Sequence, residues 1–250
     1  MARYNYKMQR LYIDHPLLDD GEVVLDKNQS NYLVNVLRMS AGAELLVFNG
    51  KDGEWRAVLE GASKKAASLK VKEQTRPQPM ASKLSYYFAP LKHARLDYMV
   101  QKAVEMGAGR LCPVFTDHTQ VNRLNLERMR ANAVEAAEQC GILAIPVVEE
   151  PTKLQPLIDG WADDDALIFC DESDEGGNPI TLLQNVTARN IGVLIGPEGG
   201  FSESERTLLK AQSFVKTIPL GPRILRADTA AVAAIAVVQA AIGDWVLKGD

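Results

Sequence analysis

The sequence contains few of the residues that build metal sites and disulfide frameworks. It has three cysteines and three histidines among 250 residues. All six are widely spaced, and no two cysteines form a CxxC pair. This spacing argues against a zinc site or a set of disulfides, and reduced thiols are typical of the cytosol. We therefore expect a cytoplasmic protein that binds no metal.

Long, strongly apolar segments are also missing. The beginning of the sequence lacks the apolar stretch of a signal peptide. The most apolar segment, residues 230–247, is interrupted by Gln239, Gly243 and Asp244, and it falls short of the roughly 20 apolar residues that span a bilayer. We therefore expect no association with membranes. Because the segment is apolar almost all round, it predicts a helix buried on more than one side, which an oligomer interface would explain.

The net charge of −4 gives no reason to expect a nucleic-acid partner for the chain as a whole. The charges are unevenly distributed, however. Residues 1–83 contain 13 basic and 10 acidic side chains, whereas residues 84–250 contain 15 and 22. The basic part permits a polyanionic partner. In it, Arg10 and Arg38 lie beside apolar residues, where a solvated face, a local ion pair or a polyanion-binding surface would each fit.

The pattern of the chain changes near residue 76. Residues 1–75 read as short strands separated by turns, with one helical segment inserted, and predict a small, mostly β barrel domain. Residues 76–83 form a polar, proline-containing linker. Residues 84–250 alternate strands with helices. This second domain is therefore predicted to be α/β, with a parallel sheet covered on both faces.

Two glycine–proline turns follow apolar strands in the second domain. The first turn (residues 196–202) reads GPEGGFS, and the second turn (residues 220–226) reads LGPRILR. Parallel sheets bind ligands beyond the carboxyl ends of their strands, where both turns are predicted to lie. Neither turn has the ending of a P-loop, and no GxGxxG motif is present. Two ordinary strand-to-helix turns, or a site for a neutral or cationic ligand, both fit these residues.

The side chains next to the turns allow more than one role. Ser202 is expected to cap the helix after the first turn, and Asp228 or Thr229 the helix after the second. Arg223 and Arg226 either pair with nearby acids or hold a substrate phosphate or a developing oxyanion.

The paired segments LIGPEGGFSESE and LGPRILRADTA closely resemble the signature of the bacterial 16S rRNA (uracil-N3)-methyltransferases, which belong to the SPOUT class. The resemblance runs nearly end to end. It implies a SPOUT-type α/β fold with a carboxy-terminal trefoil knot, preceded by a PUA-like RNA-binding domain over residues 1–75. It also implies a homodimer that uses S-adenosylmethionine (SAM) to methylate N3 of a uridine in 16S rRNA of the small ribosomal subunit. Another RNA, such as tRNA or 23S rRNA, or a non-catalytic role as an RNA-binding assembly factor, is the alternative.

The resemblance also assigns roles to individual residues. Arg10 and Arg38 match arginines expected to contact RNA, and Arg226 matches one expected near the reacting base. Glu198 is a second catalytic candidate, and the N3 proton would go to Glu198, to Asp228 or to water. The chain departs from the family at Asp228, where a glutamate is usual, and at Ile142 and Leu143, where an arginine is frequent. The implied cofactor-binding residues are Leu194, Gly196, Glu198, Gly199, Gly200, Leu220, Gly221, Ile224 and Leu225.

Overall fold

The computed structural model describes residues 8–62, 66–171 and 176–245, apart from the side chain of His93. The chain forms two compact units. The first unit comprises Met1–Met80 and Ala137–Ile145, and the second comprises Ala81–Ala136 and Pro146–Asp250.

The first unit is built on a five-stranded sheet, and each predicted strand of this part is present. The strand order is β1-β3-β4-β5-β2, with β1 parallel to β3 and the other pairs antiparallel. Alternate residues of these strands point into one apolar core, as the period-2 pattern requires. The strands are β1 (Arg10–Tyr12), β2 (Glu22–Val24), β3 (Glu44–Phe48), β4 (Glu54–Gly61) and β5 (Ser68–Arg76).

A helical segment connects β2 to β3. It begins as helix α1 (Lys27–Asn31) and continues as a π-helix (Tyr32–Val36). A capping box between Asp26 and Gln29 caps the N-terminus of α1. Arg38 follows with a φ of +56°, in the left-handed region that costs a non-glycine residue about 1–2 kcal/mol. Its side chain is exposed. π-Helical turns are frequent at functional sites, so this segment displays Arg38 in an unusual local geometry.

The second unit contains a seven-stranded sheet in which every pair is parallel, as predicted. Six strands follow the order β12-β10-β11-β6-β7-β8, and β9 pairs with β7. The strands are β6 (Leu84–Phe88), β7 (Arg110–Phe115), β8 (Val147–Val148), β9 (Thr152–Lys153), β10 (Ala166–Cys170), β11 (Ile191–Ile195) and β12 (Val215–Ile218). The helices are α2 (His93–Glu105), α3 (Leu126–Cys140), α4 (Leu154–Asp159), α5 (Pro179–Leu183), α6 (Glu203–Lys210) and α7 (Ala227–Ile242). The last residues of α3, from Ala137 onward, belong to the first unit.

Both faces of this sheet are covered. On one face, Phe169, Leu194 and Phe201 lie in a buried cluster with residues of α4 and α6. On the other face, α7 packs against β11 and α2. Tyr86 and Phe88 are fully buried in β6 and stack with their ring centroids 4.9 Å apart. The near-continuous apolar character of these strands follows from burial on both sides.

Helix α7 buries one face within the chain. Gln239 is the one buried polar residue of that face, and its Nε2 donates to the Met106 carbonyl at 2.9 Å. The opposite face remains partly exposed, at Val232, Ala233, Ala236 and Val237. Residues 246 and 247, which the sequence places in the same helix, lie outside the described residues.

Helix α5 was not predicted from the sequence. Asn178 caps it by accepting from the Ile180 amide at 2.9 Å, and Pro179 occupies its first turn. Residues 172–175, which precede it, lie outside the described residues.

Candidate active site

The two glycine–proline turns lie at one edge of the parallel sheet. Strand β10 runs between β11 and β12, and all three strands are parallel. The turns that follow β11 and β12 therefore emerge on either side of the carboxyl end of β10. The structure thus brings the predicted cofactor-binding residues to a single edge of the sheet, where parallel sheets bind ligands.

The first turn has a backbone that glycine makes possible. The Gly200 amide donates to the Pro197 carbonyl at 3.0 Å, and Gly200 has a φ of +68°, which glycine adopts without steric cost. A Cβ atom at Gly196 would lie 2.6 Å from the Phe201 ring. The Leu194 side chain is buried in the core, and Leu194 lies within β11 between β10 and β6.

Both turns offer backbone groups without a partner in the part of the chain that the structure describes. The amides of Glu198 and Gly199, and all backbone groups of residues 221–225, form no hydrogen bond with the described part of the chain. Gly221 has a φ of +91° and open space around its Cα, and Ile224 is 97% exposed. Backbone polar groups are strong hydrogen-bonding groups. The two turns can therefore hold a ligand through main-chain donors and acceptors.

Three charged side chains surround these backbone groups. Glu198 is exposed, and its Oε1 lies 3.4 Å from the Nη1 of Arg95 in the first turn of α2. Arg223 and Arg226 are exposed and form no ion pair with any residue that the structure describes. Pairing with nearby acids, one of the two roles open to these arginines, is therefore not seen. Their guanidinium groups can donate to an anionic ligand atom.

The helix starts behind the two turns differ. Ser202 caps α6 as predicted: its Oγ accepts from the Glu205 amide at 3.3 Å, and Glu205 accepts from the Ser202 amide at 2.9 Å. The predicted caps of α7 are wrong. This helix begins directly after Arg226, and no side chain caps it. Asp228 therefore lies inside the first turn of α7, where its negative charge interacts favourably with the positive end of the helix dipole.

Two further residues near this edge were not predicted from the sequence. His118, in the loop after β7, contacts the carbonyls of Gly199 and Gly200. The Tyr86 hydroxyl is buried and has no hydrogen-bond partner among the described residues. Burial raises the pKa of Tyr86 well above its usual range, and Cys170 and Asp228 raise it further. No local motif marks either residue, because the groups around His118 and Tyr86 come from distant parts of the chain.

The structure separates the two arginines that were predicted to contact RNA. Arg38 is exposed, whereas Arg10 is only 5% exposed. The Arg10 Nε donates to Glu54 Oε2 at 2.9 Å, and the Arg76 Nη2 donates to the same oxygen at 2.6 Å. The Arg10 guanidinium therefore links β1 to β4 through Glu54. Direct contact between Arg10 and RNA stays a prediction.

Within residues 8–62, 66–171 and 176–245, no group of three His, Cys, Asp or Glu side chains is placed to hold a metal ion. None of the helices in these ranges combines the length and apolar character required to cross a membrane.

Comparison with known proteins identifies the family. Residues 77–239 match the model of an RNA methyltransferase domain, and residues 25–72 match an RNA methyltransferase PUA domain. The chain is 31% identical to the ribosomal RNA small subunit methyltransferase E of Rickettsia conorii, covering 93% of this chain and 96% of the relative. Its Bacillus subtilis counterpart is 30% identical, covering 97% and 100%.

A solved structure agrees with this result. The ribosomal RNA small subunit methyltransferase E of Neisseria gonorrhoeae, bound to S-adenosyl methionine, superposes with a TM-score of 0.83 at 27% identity, covering 96% of this chain and 100% of that one. The fold is therefore that of a SPOUT-type methyltransferase domain with a PUA-like domain before it. The chain belongs to the RNA methyltransferase family that includes the ribosomal RNA small subunit methyltransferases E.

Proposed function

We propose that this protein transfers a methyl group from SAM to N3 of a uridine in 16S rRNA of the small ribosomal subunit. The observation that carries the proposal is the pair of glycine–proline turns on either side of β10, with backbone groups and two arginines that have no partner among the described residues. Relatives named for small-subunit rRNA methylation match the chain over almost its whole length. Both observations support the same reaction.

The groups in the turns fit SAM. This cofactor carries an adenine ring and supplies an activated methyl group on a cationic sulfur. The unpaired backbone groups of residues 221–225 and the amides of Glu198 and Gly199 suit the donors and acceptors of adenine. Neither turn contains a lysine, and a carboxylate, Glu198, stands at the first. The charges around the turns are mixed, because Arg95 lies beside Glu198 and the second turn carries Arg223 and Arg226. The fit to SAM therefore rests on the backbone groups. SAM would be held by Leu194, Gly196, Glu198, Gly199, Gly200, Leu220, Gly221, Ile224 and Leu225.

The side chains of the site can handle the proton and the charge of the reaction. Uracil N3 lies between two carbonyl groups, so loss of its proton places negative charge on both oxygens. Arg226 is exposed and unpaired among the described residues, and its N–H groups can stabilise that charge as it develops. The Glu198 carboxylate accepts the N3 proton. Because N3 lies on the Watson–Crick edge, the uridine must be unpaired or flipped out.

Residues 1–75 act in this proposal as the RNA-binding domain, and residues 84–250 as the methyltransferase domain. The exposure of Arg38 and its left-handed backbone after the π-helix support a contact with RNA. Arg10 is a candidate for contact with RNA by family resemblance, and in this structure it is buried and keeps β1 in place through Glu54.

Three further properties follow from the resemblance to the family. We infer a deep trefoil knot around the second turn and a homodimer. The partly exposed apolar face of α7 supports the dimer, since a contiguous apolar patch commonly marks an interface. A small-subunit rRNA substrate places the protein in the cytoplasm.

Nucleoside mass spectrometry of 16S rRNA from a strain lacking the gene tests the reaction. The proposal requires that 3-methyluridine disappears and that re-expression of the chain restores it. Retention of 3-methyluridine at the wild-type level would overturn the proposal. Purified protein incubated with radiolabelled SAM should label 30S subunits. Labelling of tRNA or 23S rRNA instead would identify a different substrate.

A further inference from the structure

The loop after β7, residues 116–119, is a closed turn that faces the first glycine–proline turn. The Thr116 amide donates to Thr119 Oγ1 at 2.9 Å, and the Thr119 amide donates to the Thr116 carbonyl at 3.1 Å. The two hydroxyl oxygens also lie 2.9 Å apart. These contacts fix the backbone between them, which carries Asp117 and His118.

Asp117 anchors this loop to the start of helix α6. Its amide donates to Glu205 Oε1 at 2.9 Å, and its carboxylate accepts from Ser202 Oγ at 2.6 Å. Glu205 is 7% exposed, and its second oxygen accepts from the Ser202 amide. The loop and the capped helix start therefore form one hydrogen-bonded assembly.

His118 reaches from this assembly to the first turn. Its Nδ1 lies 3.0 Å from the Gly199 carbonyl oxygen and 3.2 Å from that of Gly200. Because both oxygens can only accept, Nδ1 must carry a hydrogen and donate to them. A Cβ at Gly199 would lie 3.2 Å from the His118 Cβ, so glycine at this position permits the close approach.

The geometry of the peptide bond gives this contact a consequence. In a planar trans peptide, the Gly199 carbonyl and the Gly200 amide point in opposite directions. His118 holds the carbonyl, and the Pro197 carbonyl holds the amide at 3.0 Å. This peptide plane is therefore fixed at both ends. The neighbouring amides of Glu198 and Gly199 remain available to a ligand.

We propose that His118 is a positioning residue for SAM binding. Its Nδ1–H group fixes the first turn in the conformation that presents the amides of Glu198 and Gly199 before the ligand arrives. A site that is already ordered binds more tightly, because less conformational freedom is lost on binding. This inference rests on the proposed function, since it concerns the turn that would hold SAM.

Three substitutions separate the Nδ1 contact from other roles of the ring. In His118→Asn the side-chain amide nitrogen stands close to the position of Nδ1 and can still donate. In His118→Gln the amide lies farther out, nearer the position of Nε2. His118→Ala removes both groups. His15→Ala is a matched control, because the His15 ring is exposed and, among the described residues, its one hydrogen bond is to the neighbouring Pro16 carbonyl at 3.3 Å.

Calorimetry with SAM is the binding measurement. We expect His118→Ala and His118→Gln to weaken SAM binding about tenfold, the effect of losing one hydrogen bond, and His118→Asn to remain within about twofold of wild type. In methylation assays on 30S subunits, loss of the Nδ1 hydrogen bond should raise KM for SAM and leave kcat nearly unchanged. Equal affinity of wild type and His118→Ala, or equal weakening by Ala and Asn, would overturn the inference. A fall in kcat at unchanged KM, with Gln more active than Asn, would instead assign a role to Nε2.

Hydrogen exchange of the Gly200 amide without SAM supplies a readout that does not depend on the reaction. We expect faster exchange in His118→Ala and protection close to wild type in His118→Asn. Unchanged exchange in His118→Ala would contradict the inference. If wild-type protein binds no SAM, the proposed function fails. The exchange result would still show whether His118 fixes the turn.

Discussion

The Arg95 Nη1 lies 3.4 Å from Glu198 Oε1, which ties the first turn of helix α2 to the first glycine–proline turn. Both side chains are exposed by about two-fifths, at 43% and 38%, and an ion pair in such a position contributes only about 0–1 kcal/mol to stability. Its importance therefore lies in where it holds the Glu198 carboxylate.

Glu198→Gln tests the assignment of this carboxylate. If Glu198 accepts the N3 proton, the substitution should lower kcat by about 10²- to 10⁴-fold and leave KM for SAM nearly unchanged. Glu203→Gln is the matched control, because Glu203 is an exposed acid in the first turn of α6. Steady-state methylation of 30S subunits measures both constants. A raised KM for SAM with normal kcat would assign the Glu198 carboxylate, and not only the Glu198 amide, to cofactor binding.

Arg226→Ala should slow methyl transfer by about 10²- to 10³-fold, because one donor to the developing oxyanion is lost. Affinity for SAM, measured by calorimetry, should remain unchanged. Arg226→Lys should recover part of the rate, since lysine keeps the charge but not the planar fork of donors. Arg189→Ala provides the control from the opposite edge of the sheet, where Arg189 is exposed near the start of β11. Full activity of Arg226→Ala would exclude the assigned role.

Glu54→Gln should destabilise the protein by about 3–5 kcal/mol, because two arginines then face a buried residue without a charge. Burial by itself raises the pKa of the Glu54 carboxyl, but hydrogen bonds from Arg76, Arg10 and Thr75 outweigh it and hold that pKa below its ordinary value. Urea denaturation at neutral pH measures the change in the free energy of unfolding. Exposed Glu22 on β2 supplies the control variant Glu22→Gln.

The same pKa shift predicts how stability depends on pH. A pKa that is lower in the folded state stabilises the protein at pH values above the pKa of the unfolded state, which is about 4.3 for glutamate. This contribution is lost as the pH falls through the pKa of the folded state. Wild type should therefore lose stability more steeply than Glu54→Gln between about pH 5 and pH 3. Parallel curves for the two proteins would contradict the assignment.

Tyr86→Phe should leave stability unchanged or raise it by about 1 kcal/mol. The buried hydroxyl has no hydrogen-bond partner among the described residues, and an unsatisfied buried group costs about 1–3 kcal/mol. Tyr87→Phe, on the partly buried face of the same strand, supplies the comparison. Thermal unfolding compares the two variants. A loss of more than about 1 kcal/mol in Tyr86→Phe would show that its hydroxyl is bonded in solution.

The elements that a local pattern determines were predictable from the sequence. Alternating apolar residues predict the strands of the first unit, and the paired turns predict where a ligand would bind. The π-helix at Tyr32–Val36 was not predicted, because its apolar spacing resembles that of an α-helix. Helix α5 has the signals of Asn178 and Pro179, but five residues are too few to show a helical period.

Contacts between distant residues were beyond the sequence. Glu54 neutralises Arg10 across a separation of 44 residues, and His118 meets Gly199 across 81. Ile142 and Leu143 belong to the first unit, where Leu143 is 3% exposed. This position therefore packs within the first unit in this chain. Each of these facts depends on how strands and loops assemble, which local periodicity does not encode.

The arrangement of β10 between β11 and β12 also determines when the site is completed during biosynthesis. The first turn leaves the ribosome before the second, and the order of the sheet requires β12 to add beyond β10. A nascent chain that stops before Leu220 carries the first turn but only one wall of the site. Each newly made molecule therefore acquires its ability to bind a ligand there only after β12 and the second turn have been synthesised and have reached the sheet.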